Sequence, residues 1–164
     1  MKPERAIAVA VGAVFRRRKI LLIKRNFEPF TGLWGMPGGK ILFGEHIEQA
    51  VQREVFEECG IKSKYLRFCG VLSEKVSLGA KSRMHYLVFV SELRATGGRT
   101  AASREGEVRW FPVADLRQLK RVMIPSDYLM LKQLVLDRRS KPGQVYRHCE
   151  IAKSRGEYRV KRFY

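Results

Sequence analysis

The sequence predicts an α/β protein in which helices pack on a mixed β-sheet. Three observations carry that reading. Short, almost wholly apolar runs stand near the start of the chain, one segment near residue 50 has helical periodicity, and further strand-like runs follow it. The order strand, strand, helix, three strands, helix suits a mixed sheet with helices on it. With 164 residues, the chain is long enough for one domain with a substantial core.

The segment Ala6-Ile7-Ala8-Val9-Ala10-Val11 is nearly all apolar, as in a strand buried on both faces. Ile20 to Ile23 is similar, and the two form a hairpin over the basic turn Arg16-Arg17-Arg18-Lys19. Residues 26–39 are rich in Gly, Pro and aromatics and form a structured loop, with a short strand at Lys40 to Phe43. Glu45 to Cys59 is helical: Ile47, Ala50, Val51, Val55 and Cys59 make one apolar stripe, and Gly60 ends it. Lys64 to Val76 and Met84 to Glu92 are longer strands. Ala95 to Gly106 is a polar loop, Val108 to Phe111 a short strand, and Pro112 starts a turn. Ser126 caps a second helix that runs to Arg139. Val145 to Ala152 and Tyr158 to Tyr164 flank Ser154-Arg155-Gly156 and predict a terminal β-hairpin. Residues 1–140 thus form the main domain. Residues 141–164 form a basic extension, packed on the domain or across a homodimer.

The bulk properties exclude several classes. The apolar stretch from Ala6 to Phe15 superficially resembles a signal peptide, but it meets four basic residues instead of a cleavage site. No apolar run reaches the ~20 residues of a membrane span. Cys59, Cys69 and Cys149 are scattered and odd in number, which argues against a disulfide framework and suits a reducing cytoplasm. The net charge of +17 favours polyanionic ligands, RNA included, although a Lys/Arg-rich surface alone would also produce it.

Against that charge, one cluster is out of character. Glu54, Glu57 and Glu58 fall at i, i+3 and i+4, on one helix face, where like charges repel. A hard divalent cation would offset the repulsion. Mg²⁺ takes carboxylate oxygens and bridges substrate phosphates, and Mn²⁺ accepts the same ligands. Met36-Pro37-Gly38-Gly39 precedes the helix and allows close approach of backbone to a ligand.

Gly39, Glu45, Arg53-Glu54-Val55, Glu57-Glu58 and Gly60-Ile61, in this spacing, resemble a complete Nudix box over residues 39–61. Gly32-Leu33-Trp34-Gly35-Met36-Pro37-Gly38 and Val108-Arg109-Trp110-Phe111-Pro112 resemble flanking features of the family. The resemblance implies an α/β/α sandwich, with the terminal hairpin added to it. It implies metal-dependent hydrolysis of a diphosphate linkage in a nucleoside diphosphate derivative. It further implies that Glu54, Glu57, Glu58 and the main chain of Gly38 hold the metal. Arg53 and Glu45 form an ion pair in the family, although Arg53 could instead touch phosphate. Glu54, Glu105 and Glu107 are the candidates for the general base.

Substrate determinants lie outside the box. Arg25, Phe30, Gly38 and Gly39 are candidates for substrate binding. The segment Arg25-Asn26-Phe27-Glu28-Pro29-Phe30-Thr31-Gly32 resembles that of ADP-ribose-hydrolysing members. Three readings follow: hydrolysis of ADP-ribose or a related nucleotide, hydrolysis at an RNA 5′ end, or a non-catalytic nucleotide- or RNA-binding module.

Overall fold

The computed structural model describes residues 5–79, 83–137 and 146–164. Its first strand, β1 (Ile7–Arg16), lies inside the sheet and turns at Arg17–Arg18 into β2 (Lys19–Arg25). Both are buried through their middles, Ala10 to Val14 and Ile20 to Ile23, as near-continuous apolar runs require. Short strands β3 (Trp34–Gly35) and β4 (Gly38–Lys40) precede the helix α1 (Ile47–Cys59). Two long strands, β5 (Ile61–Ser77) and β6 (Arg83–Gly98), form an antiparallel pair, and β6 lies parallel to β1. Strand β7 (Gly106–Pro112) pairs with β2. The helices α2 (Leu116–Leu119) and α3 (Pro125–Met130) follow, and α3 continues as a π-helical stretch, Leu131–Leu136. The last strands, β8 (Tyr146–Ser154) and β9 (Glu157–Phe163), extend the sheet, whose order is β3-β2-β1-β6-β5-β8-β9.

This is an α/β/α sandwich. On one face α1 buries Ala50, Val51, Val55 and Cys59 against Ala10, Val14, Leu21, Ile61 and Leu93. Each fully buried aliphatic side chain there stabilises by roughly 1.5–3 kcal/mol. On the other face Met130, Leu131 and Leu134 pack on Leu72, Val76, Val88 and Val90. Gly60, at φ 70°, terminates α1 in the left-handed conformation, and its N–H bonds Phe56 O at 2.9 Å.

Several boundaries differ from the sequence reading. The strand expected at Lys40 to Phe43 lies earlier, because Gly38, Gly39 and Lys40 themselves pair with Val11, Ala10 and Val9. The loop expected from Ala95 is strand as far as Gly98, because β5 supplies a partner for that backbone. Helix α1 begins at Ile47, and Glu45 stands in the loop before it. Ser126 is no cap: Ile124 holds that position, Pro125 takes the first turn, and Ser126 is buried. The expected helix end at Arg139 and the division at residue 140 lie outside the described residues. So do Met1 to Glu4 and Val145. No helix among the described residues is long and apolar enough to cross a membrane.

Candidate functional site

Strand β4 and helix α1 meet at the glycine pair. A side chain at Gly38 would strike the Ala10 carbonyl and come within 2.6 Å of Val11 Cα, so β1 and β4 can pair only around a glycine. A Cβ at Gly39 would lie 2.6 Å from the carboxyl carbon of Glu54. The space normally filled by a side chain is therefore given to that carboxylate.

Arg53 organises the acidic face of α1. Its guanidinium bonds both carboxylate oxygens of Glu45, at 2.7 and 3.0 Å, and the carbonyl of Lys40 at 3.1 Å. It also reaches Glu54 at 2.7 Å and Glu57 at 3.2 Å. This fork ties the helix to the loop before it. It holds the Glu45 carboxyl down at about 2, with help from the Leu42 N–H.

Glu58, one turn on from Glu54, is only 8% exposed. It accepts a bond from the Gly38 N–H at 2.9 Å. Burial, and after it the charges of Glu54 and Glu105, raise its pKa to about 7 against that bond. Three carboxylates thus repel one another across a small space, with Arg25 the cation that partly balances Glu58. Among the described residues no three such side chains already converge on one metal-sized position. What fits a divalent cation is the donor chemistry: oxygen ligands in excess, mutually repelling, beside a cradle left open at Gly39. Glu54, Glu58 and the main chain of Gly38 could supply such donors from the cleft, and Glu57 is exposed beside Arg53.

Gly38, Glu54 and Glu58 line a cleft of about 790 Å³, which also takes in Arg25, Phe30, Gly39 and Glu105, whereas Glu57 lies outside its lining. Glu107 is not among the lining residues and pairs with Arg109. Arg53 and Glu45 are likewise behind the cleft wall, occupied with each other. One wall is the loop after β2. There Arg25 donates to Pro29 O at 2.9 Å, and Phe30 stands at φ 73°. The terminal hairpin grips this loop. The Tyr158 hydroxyl bonds the Phe30 N–H at 2.8 Å and the Glu28 carboxylate, and its ring lies 4.6 Å from that of Phe30. Lys153 pairs with Glu28 at 2.5 Å.

The cleft also holds two acids that the sequence reading passed over. Glu74 on β5 and Asp127 on α3 are both buried. Burial first, and for Glu74 also the charge of Asp127, raises their pKa values to about 7 and about 6. Asp127 accepts from the Met36 N–H at 2.6 Å, whereas Glu74 Oε1 has no hydrogen-bond partner among the described residues. A signal for them existed. Glu74 falls in phase with the buried Leu72 and Val76, and Asp127 in helical phase with Ile124 and Leu131.

Residues 6–134 match the family profile described as NUDIX domain. The chain is 37% identical over 129 residues to an ADP-ribose pyrophosphatase of Methanocaldococcus jannaschii, covering 76% of this chain and 75% of that protein. It is 50% identical over 60 residues to an NAD-capped RNA hydrolase, NudC, of Haemophilus influenzae, 35% of this chain but only 23% of that one. Among solved structures, a MutT NUDIX hydrolase from Burkholderia pseudomallei superposes with a TM-score of 0.67 at 30% identity. That match covers 80% of this chain and 100% of the other.

Proposed function

The chain belongs to the Nudix family of pyrophosphohydrolases, and from that premise we propose that it hydrolyses the diphosphate linkage of ADP-ribose or a closely related nucleoside diphosphate derivative. The observation that carries the reading is the cluster of Glu54, Glu58 and Glu105 facing Arg25 in one cleft. Glu54, Glu57, Glu58 and the Gly38 carbonyl would hold Mg²⁺ or Mn²⁺. When bound, the metal would neutralise the diphosphate and make a coordinated water more acidic. Arg25 binds the diphosphate oxygens and Phe30 flanks the nucleoside, while the backbone at Gly38 and Gly39 lets the phosphates approach closely. Glu105 is the base in this reading. It accepts the water's proton as oxygen attacks one phosphorus, and the bridging oxygen leaves with the other phosphate. Glu54 is the alternative base. Arg53 and Glu45 act through Glu54, by fixing where its carboxylate stands.

Glu74 and Asp127, in the same cleft, offer hydrogen-bonding groups to a nucleobase and so favour a nucleoside over a bare pyrophosphate. A second reading, hydrolysis at an RNA 5′ end, is favoured by the +17 charge and by the NudC match. The three free, buried cysteines suit a cytoplasmic setting.

Product analysis with Mg²⁺ and with Mn²⁺ tests the proposal, across ADP-ribose, nucleotide sugars, dinucleotides, nucleoside triphosphates and 5′-triphosphorylated RNA. Turnover should be greatest for ADP-ribose or a near relative. It should fall by about a hundredfold or more in Glu58→Gln, the loss expected for a group acting on the transition state. Turnover of triphosphorylated RNA alone would replace the first reading with the second.

A further inference from the structure

The sheet has a second working face. Side chains alternate along strands, so directly paired residues on neighbouring strands share a face. The cleft side takes the rows Val88–Leu72–Arg147 and Tyr86–Glu74–Cys149. The alternate rows point away from it: Phe89–Val71–Tyr146, then Leu87–Ser73–His148, then His85–Lys75–Glu150 with Arg162 beyond. Helix α1 packs on this reverse side over Ala10, Val14, Leu21, Ile61 and Leu93. Val71, Leu87 and Phe89 are half-buried and belong to neither core.

Three features lie there. The first is aromatic. His148 stacks on Tyr164 at 4.8 Å and 19°, with Tyr146 edge-on at 4.6 Å, and the two tyrosines are 52% and 62% exposed. The second is charge. Arg5, Lys75, Arg83, Lys161 and Arg162 are exposed in this region, against Glu150, which is 3.8 Å from Arg162. The third is shape: a cleft of about 590 Å³ opens at the strand ends next to the His85–Lys75–Glu150 row, lined by Arg5, Lys75, Arg83, Glu150 and Lys161 among others.

We propose that this reverse face of β6, β5, β8 and β9 binds a single-stranded polynucleotide, its bases stacking on Tyr146 and Tyr164 and its phosphates tracking the basic cleft. Stacking platforms flanked by cations are what unpaired bases require, and any base supplies a π face. A second copy of this chain fits less well, because two such faces would oppose their positive charges. A duplex fits less well too, since its bases are already stacked. The aromatic platform is on the far side of the sheet from the acidic cleft, and binding there does not depend on which nucleotide is hydrolysed.

Fluorescence anisotropy with short oligoribonucleotides and oligodeoxynucleotides ending in a 5′-hydroxyl tests this, since such probes offer no diphosphate to the acidic cleft. Single strands should bind more tightly than the matching duplex, and binding should weaken steeply with salt. Tyr146→Ala with Tyr164→Ala should lower affinity by about tenfold or more, on the usual scale of base–aromatic stacking. Lys75→Glu with Arg83→Glu should lower it further. Both pairs should retain the wild-type rate of nucleotide hydrolysis, and Glu58→Gln should bind oligonucleotides like the wild type. The proposal is overturned if the wild type does not bind, if the tyrosine variant binds as tightly as the wild type, or if duplex binds equally well. Light scattering that shows a dimer lost on changing the tyrosines, without oligonucleotide binding, would reassign the face to self-association.

Discussion

Gly38 and Gly39 are neighbours with different reasons to lack a side chain. At Gly38 the obstacle is backbone, the Ala10 carbonyl and Val11 Cα, which cannot move without parting β1 from β4. At Gly39 the obstacle is the Glu54 carboxylate, which can swing away. Gly38→Ala should therefore destabilise the fold by about 3 kcal/mol or more, in the range of backbone-strain mutants. Gly39→Ala should stay folded but displace Glu54, raising the metal concentration for half-maximal activity by about tenfold. Thermal melts and metal titrations of both variants separate the two. The buried acids set a second expectation. Glu74 at about 7 and Asp127 at about 6 stand above their ordinary values of 4.5 and 3.8. The folded state then keeps protons that the unfolded chain has already released. Their contribution to stability is whole below about pH 4, and is lost as pH rises toward about 7. Melting temperature of the metal-free protein should fall across that window, and Glu74→Gln should make the fall shallower. An unchanged slope would show that Glu74 is not protonated in the folded state.

At the scale of elements, a loop and a hairpin far apart in sequence depend on each other. Tyr158 holds the loop after β2 through the Phe30 N–H and the Glu28 carboxylate, and Arg25, at the end of β2, donates to Pro29 of that loop. Tyr158→Phe keeps the ring contact and removes both bonds. It should raise KM by about three- to tenfold, with kcat and metal affinity nearly unchanged, since hydrogen bonds of this kind contribute about 1 kcal/mol. Glu28→Gln should act on the same contact, and the double variant should be less than additive. A drop in melting temperature without a change in KM would reduce Tyr158 to a structural role. None of this was legible in the sequence, because it joins residues 28 and 158 through side chains whose meeting no local pattern encodes. Local features read well. The stripe from Ile47 to Cys59 and the stop at Gly60 specify α1, and the spacing of Glu54, Glu57 and Glu58 specifies its acidic face. Misreadings arose where pairing overrode composition. Ala95 to Gly98 looks like loop but has β5 beside it, and Gly38-Gly39 looks like loop but pairs with β1.

For the whole molecule, the last segment is part of the sheet and not an appendage to it. Strand β8 runs parallel to β5 from Val71 to Ser77, and Cys149 and Ile151 enter the larger core. Truncation after Arg139 removes both and bares the edge of β5, a backbone ready to pair with another chain. The truncated protein should aggregate or lose its cooperative melt in size-exclusion and thermal measurements. A well-folded monomer would contradict this.

The inward place of β1 also sets an order of events during synthesis. Its parallel partner β6 begins at residue 83, so Ile7 must wait for Tyr86 before its ladder can close. The acids of α1 leave the ribosome well before the strand that anchors their sheet. Closing so long a loop is entropically slow, and topologies of this kind fold in milliseconds to seconds and not microseconds. A nascent chain paused before β6 would thus carry its acidic cluster on an unanchored helix, with the apolar length of β1 still open to other chains.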